Sequence, residues 1–452
     1  MKRAIDHNNA MPHSRQEQAS PHTQVLQQRL HALIPGGAHT YAKGDDQYPA
    51  NAPACIVRGQ GCHVWDPDGR EFIEYGMGLR AVTLGHAYPS VVEAAYRQMK
   101  LGENYTRPGI MELTCAEKFL ECIPNAEMVK FCKNGSDATS AAVKLSRAYT
   151  GRNLVAICKD QPFFSIDDWF IGSTAMNAGI PQAIRDLTVG FHFNDIESVK
   201  TLFAKYPNQI ACLILEAETS IAPKGEFLVQ LQDLCRAHGV VFILDEMITG
   251  FRWHLSGAQH VYGLKPDLCT FGKGLGNGFA VSALAGRSDI MQRGGIHHDK
   301  ERVFLLSTTH GAEQHALAAA VEIMRIYKEE KVTDYLHQQG EKLRTGLNKV
   351  IDEIKLNGCF EILGRNCNLV FATRDPNKQP SQPYRTLFMQ EMVKRGFLTP
   401  SLVISFSHGD DEIARTITAV GESLVVYKKA LEEGYEKYLI GQSVKPVMRP
   451  YC

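Results

Sequence analysis

The chain has 452 residues, 44% of them hydrophobic, enough to bury a large core and to divide into more than one domain. Lysine plus arginine equals aspartate plus glutamate at 49 each, so no overall field favours nucleic acid or an anionic membrane, and a small molecule is the expected partner. No stretch of about 18 apolar residues occurs and the first turn of sequence carries no signal-like apolar core, so the expectation is a cytoplasmic protein with no membrane span. Twelve cysteines are scattered without a C-x-x-C pair, which fits reduced, buried thiols and calls for neither a metal nor a disulfide frame.

Residues 1–20 are polar and read as a flexible tail. Gln24 to Leu33 reads as a short helix stopped by Pro35-Gly36-Gly37, and Cys62 to Ile73 as a hairpin with Asp68-Gly69 at its turn. Residues 21–84 are therefore expected to contribute to a smaller domain. From Gly85 onward strands alternate with helices, the pattern of a mostly parallel sheet covered on both faces, and residues 85–320 are taken as the large domain. Within it Asn134-Gly135-Ser136-Asp137 opens a helix on which Ala138, Ala142, Leu145 and Ala148 recur at helical spacing. The apolar run Ile210 to Leu215 ends at Glu216, a helix follows with Phe227, Leu231, Leu234 and Cys235 on one face, and Val240 to Leu244 ends at Asp245. Right-handed crossover geometry then puts Glu216 and Asp245 on the same carboxyl rim of the sheet, where open α/β folds bind ligands. Residues 321–452 read as a smaller α+β domain, with a strand at Asn368 to Phe371 and a helix at Asp410 to Tyr427.

Three features of that rim carry chemistry. Gly135 and Ser136 sit at a helix N-terminus, whose free N–H groups and dipole attract a phosphate, although an ordinary N-cap looks the same in sequence. Asp245 follows five apolar residues, and a carboxylate at that depth needs a partner: a protonated pyridine nitrogen or an ion pair with Arg252. At about 4 Å and an effective dielectric near 20, the acid would favour a protonated ring by about 4 kcal/mol. Lys273 closes Leu268-Cys-Thr-Phe-Gly between Gly272 and Gly274, which let backbone approach a flat ligand. A partly desolvated lysine loses pKa and becomes a nucleophile toward an aldehyde, so Lys273 and Asp245 together point to pyridoxal phosphate. A phosphate-binding loop is excluded by spacing, because Gly274 stands where Ser or Thr belongs after the lysine.

With Asn134-Gly-Ser-Asp137, Leu244-Asp-Glu-Met-Ile-Thr-Gly-Phe-Arg252, Phe271-Gly-Lys-Gly274 and Ser307-Thr-Thr-His-Gly311 in this order, the chain resembles class III aminotransferases of fold type I, and most of all glutamate-1-semialdehyde aminomutase-like proteins. The resemblance implies an α/β fold with a large, mostly parallel seven-stranded sheet and a smaller α+β domain. It implies Lys273 as the Schiff-base lysine, Asp245 on the pyridine nitrogen, Met247 against one ring face, Gly135 and Ser136 at the phosphate, and Glu216 and Glu246 as further acids near the cofactor. Thr309 matches a threonine that reaches the phosphate across a dimer interface, so a homodimer is implied. Departures are equally specific. Phe163-Phe164-Ser165 replaces Tyr-His-Gly, which makes Phe163 the candidate for the other ring face. Lys43 stands where the aminomutase places an arginine for the substrate carboxylate, and the stretch between Pro400 and Phe406 lacks the aminomutase's acid.

The expected function is transfer of an amino group from an amino-acid donor to a carbonyl acceptor, with intramolecular aminomutase action as the alternative and a cofactor-binding protein without turnover as the least favoured. Lys43, Arg80 and Arg252 are candidates for a substrate carboxylate, each with a surface or structural ion pair as the alternative and that alternative favoured for Arg80, and Gly172 to Pro181 is a candidate lid.

Overall fold

Burial on both faces shapes the centre of this protein, seen in a computed structural model that describes residues 21–451. The expected tail at residues 1–20 lies outside the described residues. The chain opens with helix α1 (Pro21–Leu33), whose start three residues before Gln24 suits the fixed φ of a proline in the first turn. Strands β1 (Arg58–Gln60), β2 (His63–Trp65) and β3 (Glu71–Glu74) follow as a meander. The β2–β3 hairpin pairs Val64 with Phe72, both buried, and turns through Gly69 at φ +81°, a conformation that favours glycine.

The large sheet comprises β4 (Met128–Cys132), β5 (Leu154–Cys158), β6 (Thr188–Phe191), β7 (Ile210–Leu215), β8 (Val241–Asp245), β9 (Leu268–Phe271) and β10 (Ser282–Gly286). Their order is β4-β10-β9-β8-β7-β5-β6, with β10 antiparallel to both neighbours and the other adjacent pairs parallel. Every residue of β7, β8 and β9 is buried. A strand packed on both faces has no polar side, which is why these segments read as unbroken apolar runs rather than alternating ones. Helix α2 (Gly135–Thr150) lies across β7, β9 and β10, and α3 (Phe227–Ala237) packs its Phe227, Leu231 and Cys235 against the sheet on the return to β8.

Helix α4 (Gln314–Glu329) leads to the second region: α5 (Val332–Ile354), β11 (Phe360–Leu363), β12 (Val370–Thr373), α6 (Gln382–Lys394), β13 (Phe397–Leu398) and α7 (Asp410–Glu433). Phe388 stands 4.7 Å from both Phe360 and Phe371, centring the packing of α6 on the β11–β12 hairpin. β13 pairs in parallel with β3, Phe397 opposite Ile73, so a strand of the second region completes the sheet begun by the N-terminal meander. Two bounds differ from expectation. α7 runs past Tyr427 to Glu433, stopped by Gly434 at φ +92°, and β12 begins at Val370 because Asn366–Asn368 form a 3-10 turn. No helix among the described residues is long and apolar enough to cross a membrane.

Candidate active site

The carboxyl ends of the parallel strands converge, and each contributes one element of the site. β8 delivers Asp245, β7 runs into Glu216, β9 into Gly272 and Lys273, and β4 into Asn134 and the first turn of α2. Asp245 lies opposite Thr270 in the β8–β9 register, three residues before Lys273. Met247 N–H donates to Asp245 Oδ1 at 2.9 Å and Thr270 Oγ1 to the same oxygen at 3.1 Å, so both bonds fall on one oxygen. Glu216 is tied by its backbone: its N–H donates to Gln161 Oε1 at 2.8 Å and its carbonyl accepts from Gln161 Nε2 at 2.6 Å. Its Oε2 is buried without a partner among the described residues.

These groups hold one another electrostatically. Burial raises the Asp245 carboxyl, and the Lys273 ammonium pulls it back down. Glu216 is raised by burial and by the charge of Asp245. Lys273 is lowered by burial, against the upward pull of Glu216 and Asp245, with Arg80 and Arg252 adding to the depression. A neutral fraction of amine at ordinary pH is what nucleophilic and proton-moving work requires. Lys273 also adopts φ +44°, a left-handed conformation uncommon for a lysine and of the kind found where a site over-determines its backbone.

Glycines 135 and 272 face Met247 from two sides. A Cβ on Gly135 would sit 2.9 Å from Met247 Sδ, and one on Gly272 would sit 2.7 Å from the same atom, so both positions exclude a side chain. At the start of α2, Asn134 Oδ1 caps the N–H of Asp137 at 3.0 Å, while the N–H groups of Gly135 and Ser136 precede the intrahelical ladder. Ser136 Oγ accepts from Ile166 N–H at 3.0 Å, and Thr139 Oγ1 donates to Phe164 O at 2.7 Å. The loop carrying Phe163 is thereby pinned to the same helix turn. Phe163 itself is 43% exposed and edge-on to Phe170 at 5.7 Å.

Other sequence candidates lie elsewhere. Arg252 does not pair with Asp245 and is not placed to grip a substrate: it is 1% exposed and donates to the carbonyls of Cys367, Ile404 and Arg80 and to Thr83 Oγ1 at 2.9–3.2 Å. A guanidinium is suited to bridging several carbonyls, and here it joins the two regions of the fold. Glu246 turns away from the rim, accepting from Thr249 Oγ1 and from the N–H groups of Ala258 and Gln259, both at 2.8 Å. Lys43 is exposed in a short turn and lines a cavity of about 650 Å³ with Gly78, Leu79 and His86, a cavity that does not include Lys273. Thr309 is exposed on the strand-free segment before α4. Arg185 bonds the carbonyls of Ile180 and Asn177, both at 2.8 Å, and so pins the Gly172 to Pro181 segment.

Sequence reasoning passed over two features. Glu218 Oε2 collects Trp253 Nε1 at 2.7 Å, Tyr262 OH at 2.6 Å and Arg365 Nε at 2.9 Å, linking the loop after β7 to the turn between β11 and β12. Its only sequence signal was a second acid two residues beyond Glu216. The other is a left-handed turn over Met77, Gly78, Leu79 and Arg80, with φ of 42°, 58°, 59° and 72°. Each non-glycine residue there costs roughly 1–2 kcal/mol, and a single glycine gives little warning of it. Arg80 Nε donates to Asn368 Oδ1 at 2.9 Å, and the ion pair expected for Arg80 does not form among the described residues.

Comparison with known proteins places this geometry. The family model "Aminotransferase class-III" matches residues 45–396. A glutamate-1-semialdehyde 2,1-aminomutase of Francisella philomiragia is 32% identical over 419 residues, covering 87% of this chain and 96% of that protein. Among solved structures, the PLP internal aldimine form of FumI from Sphingopyxis sp. MTA144 superposes with a TM-score of 0.82 at 25% identity, over 91% of this chain and 97% of that one. An omega-transaminase from Sphaerobacter thermophilus does so with a TM-score of 0.81 at 26% identity, over 90% and 98%.

Proposed function

The chain belongs to the class III aminotransferase family, and within that family we propose that it moves an amino group from an amino-acid donor to a carbonyl acceptor, such as a keto sugar or another specialised metabolite, in two half-reactions. It is an α/β, fold type I enzyme that uses pyridoxal phosphate. The observation that carries the reading is a half-buried Lys273 one strand from a buried Asp245, with neither Asp245 nor Glu216 paired to an arginine among the described residues.

The residues present fit this cofactor. Glu216 Oε2 is an orphaned buried acceptor among the described residues, the bonds to Asp245 leave its second oxygen for an external N–H, and Gly135 and Gly272 let the apolar side chain of Met247 pack between the start of α2 and the lysine loop. When bound, the cofactor supplies an aldehyde that takes the donor nitrogen and a heterocycle that draws electron density from the carbon being deprotonated. In this reading Asp245 keeps a proton on the ring nitrogen, and Gly135 and Ser136 hold the phosphate with backbone N–H groups and a hydroxyl. Met247 and Phe163 would flank the ring, and Phe163, half exposed on a pinned loop, would gain burial by doing so. Lys273 would hold the cofactor's aldehyde end and, as a free amine, would carry the proton to and from the donor carbon. Thr309 serves the partner subunit of a homodimer. The exposed Ile296 and Phe304, 68% and 71% accessible on the same segment, support burial by a second copy.

The extended identity with glutamate-1-semialdehyde 2,1-aminomutases favours a second reading, amino transfer within one molecule. Lys43 in place of an arginine, and Ser401-Leu-Val-Ile-Ser405 without an acid, count against that substrate. Spectrophotometric half-reactions test both. Amino donors are offered to the aldehyde form, then keto acids and keto sugars to the amine form. An aminotransferase stalls when the external donor is omitted, whereas an aminomutase continues. Absence of any spectral change with every donor and acceptor refutes both.

A further inference from the structure

We propose that Cys62, His63 and Glu412 form a binding site for a divalent cation of the zinc class, at the corner where the N-terminal meander meets the start of α7. The site stands apart from the amino-transfer reading, because none of the three residues belongs to the cofactor rim.

Among the described residues, one group of three ligating side chains converges: a thiol, an imidazole and a carboxylate whose ligand atoms lie within 4.8 Å of one another. A tetrahedral zinc, bound at about 2.0–2.3 Å, spaces its ligands about 3.5 Å apart, so the group closes on an ion by side-chain shifts of about an ångström. His63 Nε2 already stands 3.4 Å from Glu412 Oε1. Neighbours within a strand point to opposite faces, but Cys62 precedes β2 and follows Gly61 at φ +59°, so the turn lets both side chains converge. Glu412 comes from the first turn of α7, 349 residues from His63, and no spacing in the sequence announces the group.

Each ligand is already oriented. His63 Nδ1 meets Glu71 Oε1 at 2.7 Å, a carboxylate–histidine contact that places the proton on Nδ1 and leaves the Nε2 lone pair facing Glu412. Glu412 Oε2 accepts from Gly409 N–H at 2.9 Å, which leaves Oε1 for the ion, and no lysine or arginine pairs with Glu412 among the described residues. Cys62 is buried, and its Sγ donates to Ser407 O at 3.2 Å. Burial, and then the charge of Glu412, push this thiol up to about 12, so its proton leaves when a cation takes its place, one proton released for each ion bound. The side chains of His63 and Glu412 remain 22% and 19% accessible, an entry path and a fourth position for water. Sulfur, nitrogen and a single carboxylate suit a borderline ion, whereas magnesium and calcium take sets of oxygens.

The test titrates zinc and cobalt(II) into chelator-washed wild-type holoenzyme and into Cys62→Ser, His63→Gln and Glu412→Gln, by calorimetry and near-ultraviolet absorbance. Serine keeps a donor for Ser407 O and glutamine keeps an acceptor for Gly409 N–H, so both changes are mild toward the fold. If the buried Cys62→Ser does not fold, His63→Gln, at a partly exposed side chain, carries the test. The expected result is one zinc per chain with a Kd below about 10 μM, and a thiolate-to-cobalt band that vanishes in Cys62→Ser. Cys62→Ser and His63→Gln should each weaken zinc by at least about a hundredfold, and Glu71→Gln, which removes only the support of His63, by about tenfold. Borohydride-fixed cofactor on Lys273 should be equal in all of them, which separates loss of the ion from failure of the amino-transfer site. A wild-type Kd above about 10 μM, or zinc binding equal to wild type in Cys62→Ser or His63→Gln, overturns the site and leaves His63 as an imidazole bridging two acids.

Discussion

Glu218→Gln removes one negative charge and leaves the shape of the site unchanged, which makes it a sharp probe of how the two regions of the fold are joined. Glu218 is 4% exposed, and its Oε2 takes an indole N–H, a phenol O–H and a guanidinium N–H, all within 2.9 Å. An amide oxygen still accepts, but each bond falls from charge-assisted to neutral strength, a loss of about 1 kcal/mol apiece. Arg365 loses its counter-ion as well, and because its side chain is 29% exposed that penalty is partly met by water. Since bonds sharing one oxygen do not add fully, the expected loss is about 3 kcal/mol. Urea unfolding followed by tryptophan fluorescence, which includes the buried Trp253, and by far-ultraviolet circular dichroism should show the first transition at lower denaturant. A loss below about 1 kcal/mol would refute the inference that this carboxylate anchors the turn between β11 and β12.

Asp245→Asn should retain covalently held cofactor but slow the half-reaction by up to about a thousandfold, the equivalent of about 4 kcal/mol; a rate within about tenfold of wild type in stopped-flow spectra would contradict its role. Glu246 is raised from 4.5 to about 7, burial outweighing its hydrogen bonds, so its proton stabilises the fold fully below pH 4.5 and that contribution disappears as pH rises through 7. Denaturation of the apoprotein at pH 4.5 and pH 8 should show wild type losing up to about 3 kcal/mol more than Glu246→Gln, and parallel pH dependence would exclude the shift. Phe304→Asp should shift the sedimenting species from dimer to monomer and weaken cofactor retention, whereas an undisturbed dimer would remove that segment from the interface.

Much of this was legible because strand and site coincide. β7, β8 and β9 are buried on both faces, so their apolar runs end sharply at Glu216, Asp245 and Lys273, and one crossover rule sets those ends on one rim. The cap at Asn134 and the turn at Gly69 are local chemistry, readable without tertiary context. Arg252 and Glu246 were misread because a charge after a buried strand looks alike whether it faces a ligand or satisfies distant backbone. Arg252 meets Cys367 and Ile404, more than a hundred residues away, and Glu246 meets the Ala258 turn. The turn at Met77 to Arg80 is held by the same long-range bonds, so nothing within those four residues announces it.

The central claim is that Lys273 is the residue joined to the cofactor. Protein incubated with pyridoxal phosphate, reduced with borohydride and digested should carry the cofactor's mass increment on the peptide containing Lys273, and Lys273→Ala should carry none. An increment on another lysine, or equal labelling in Lys273→Ala, would contradict the account.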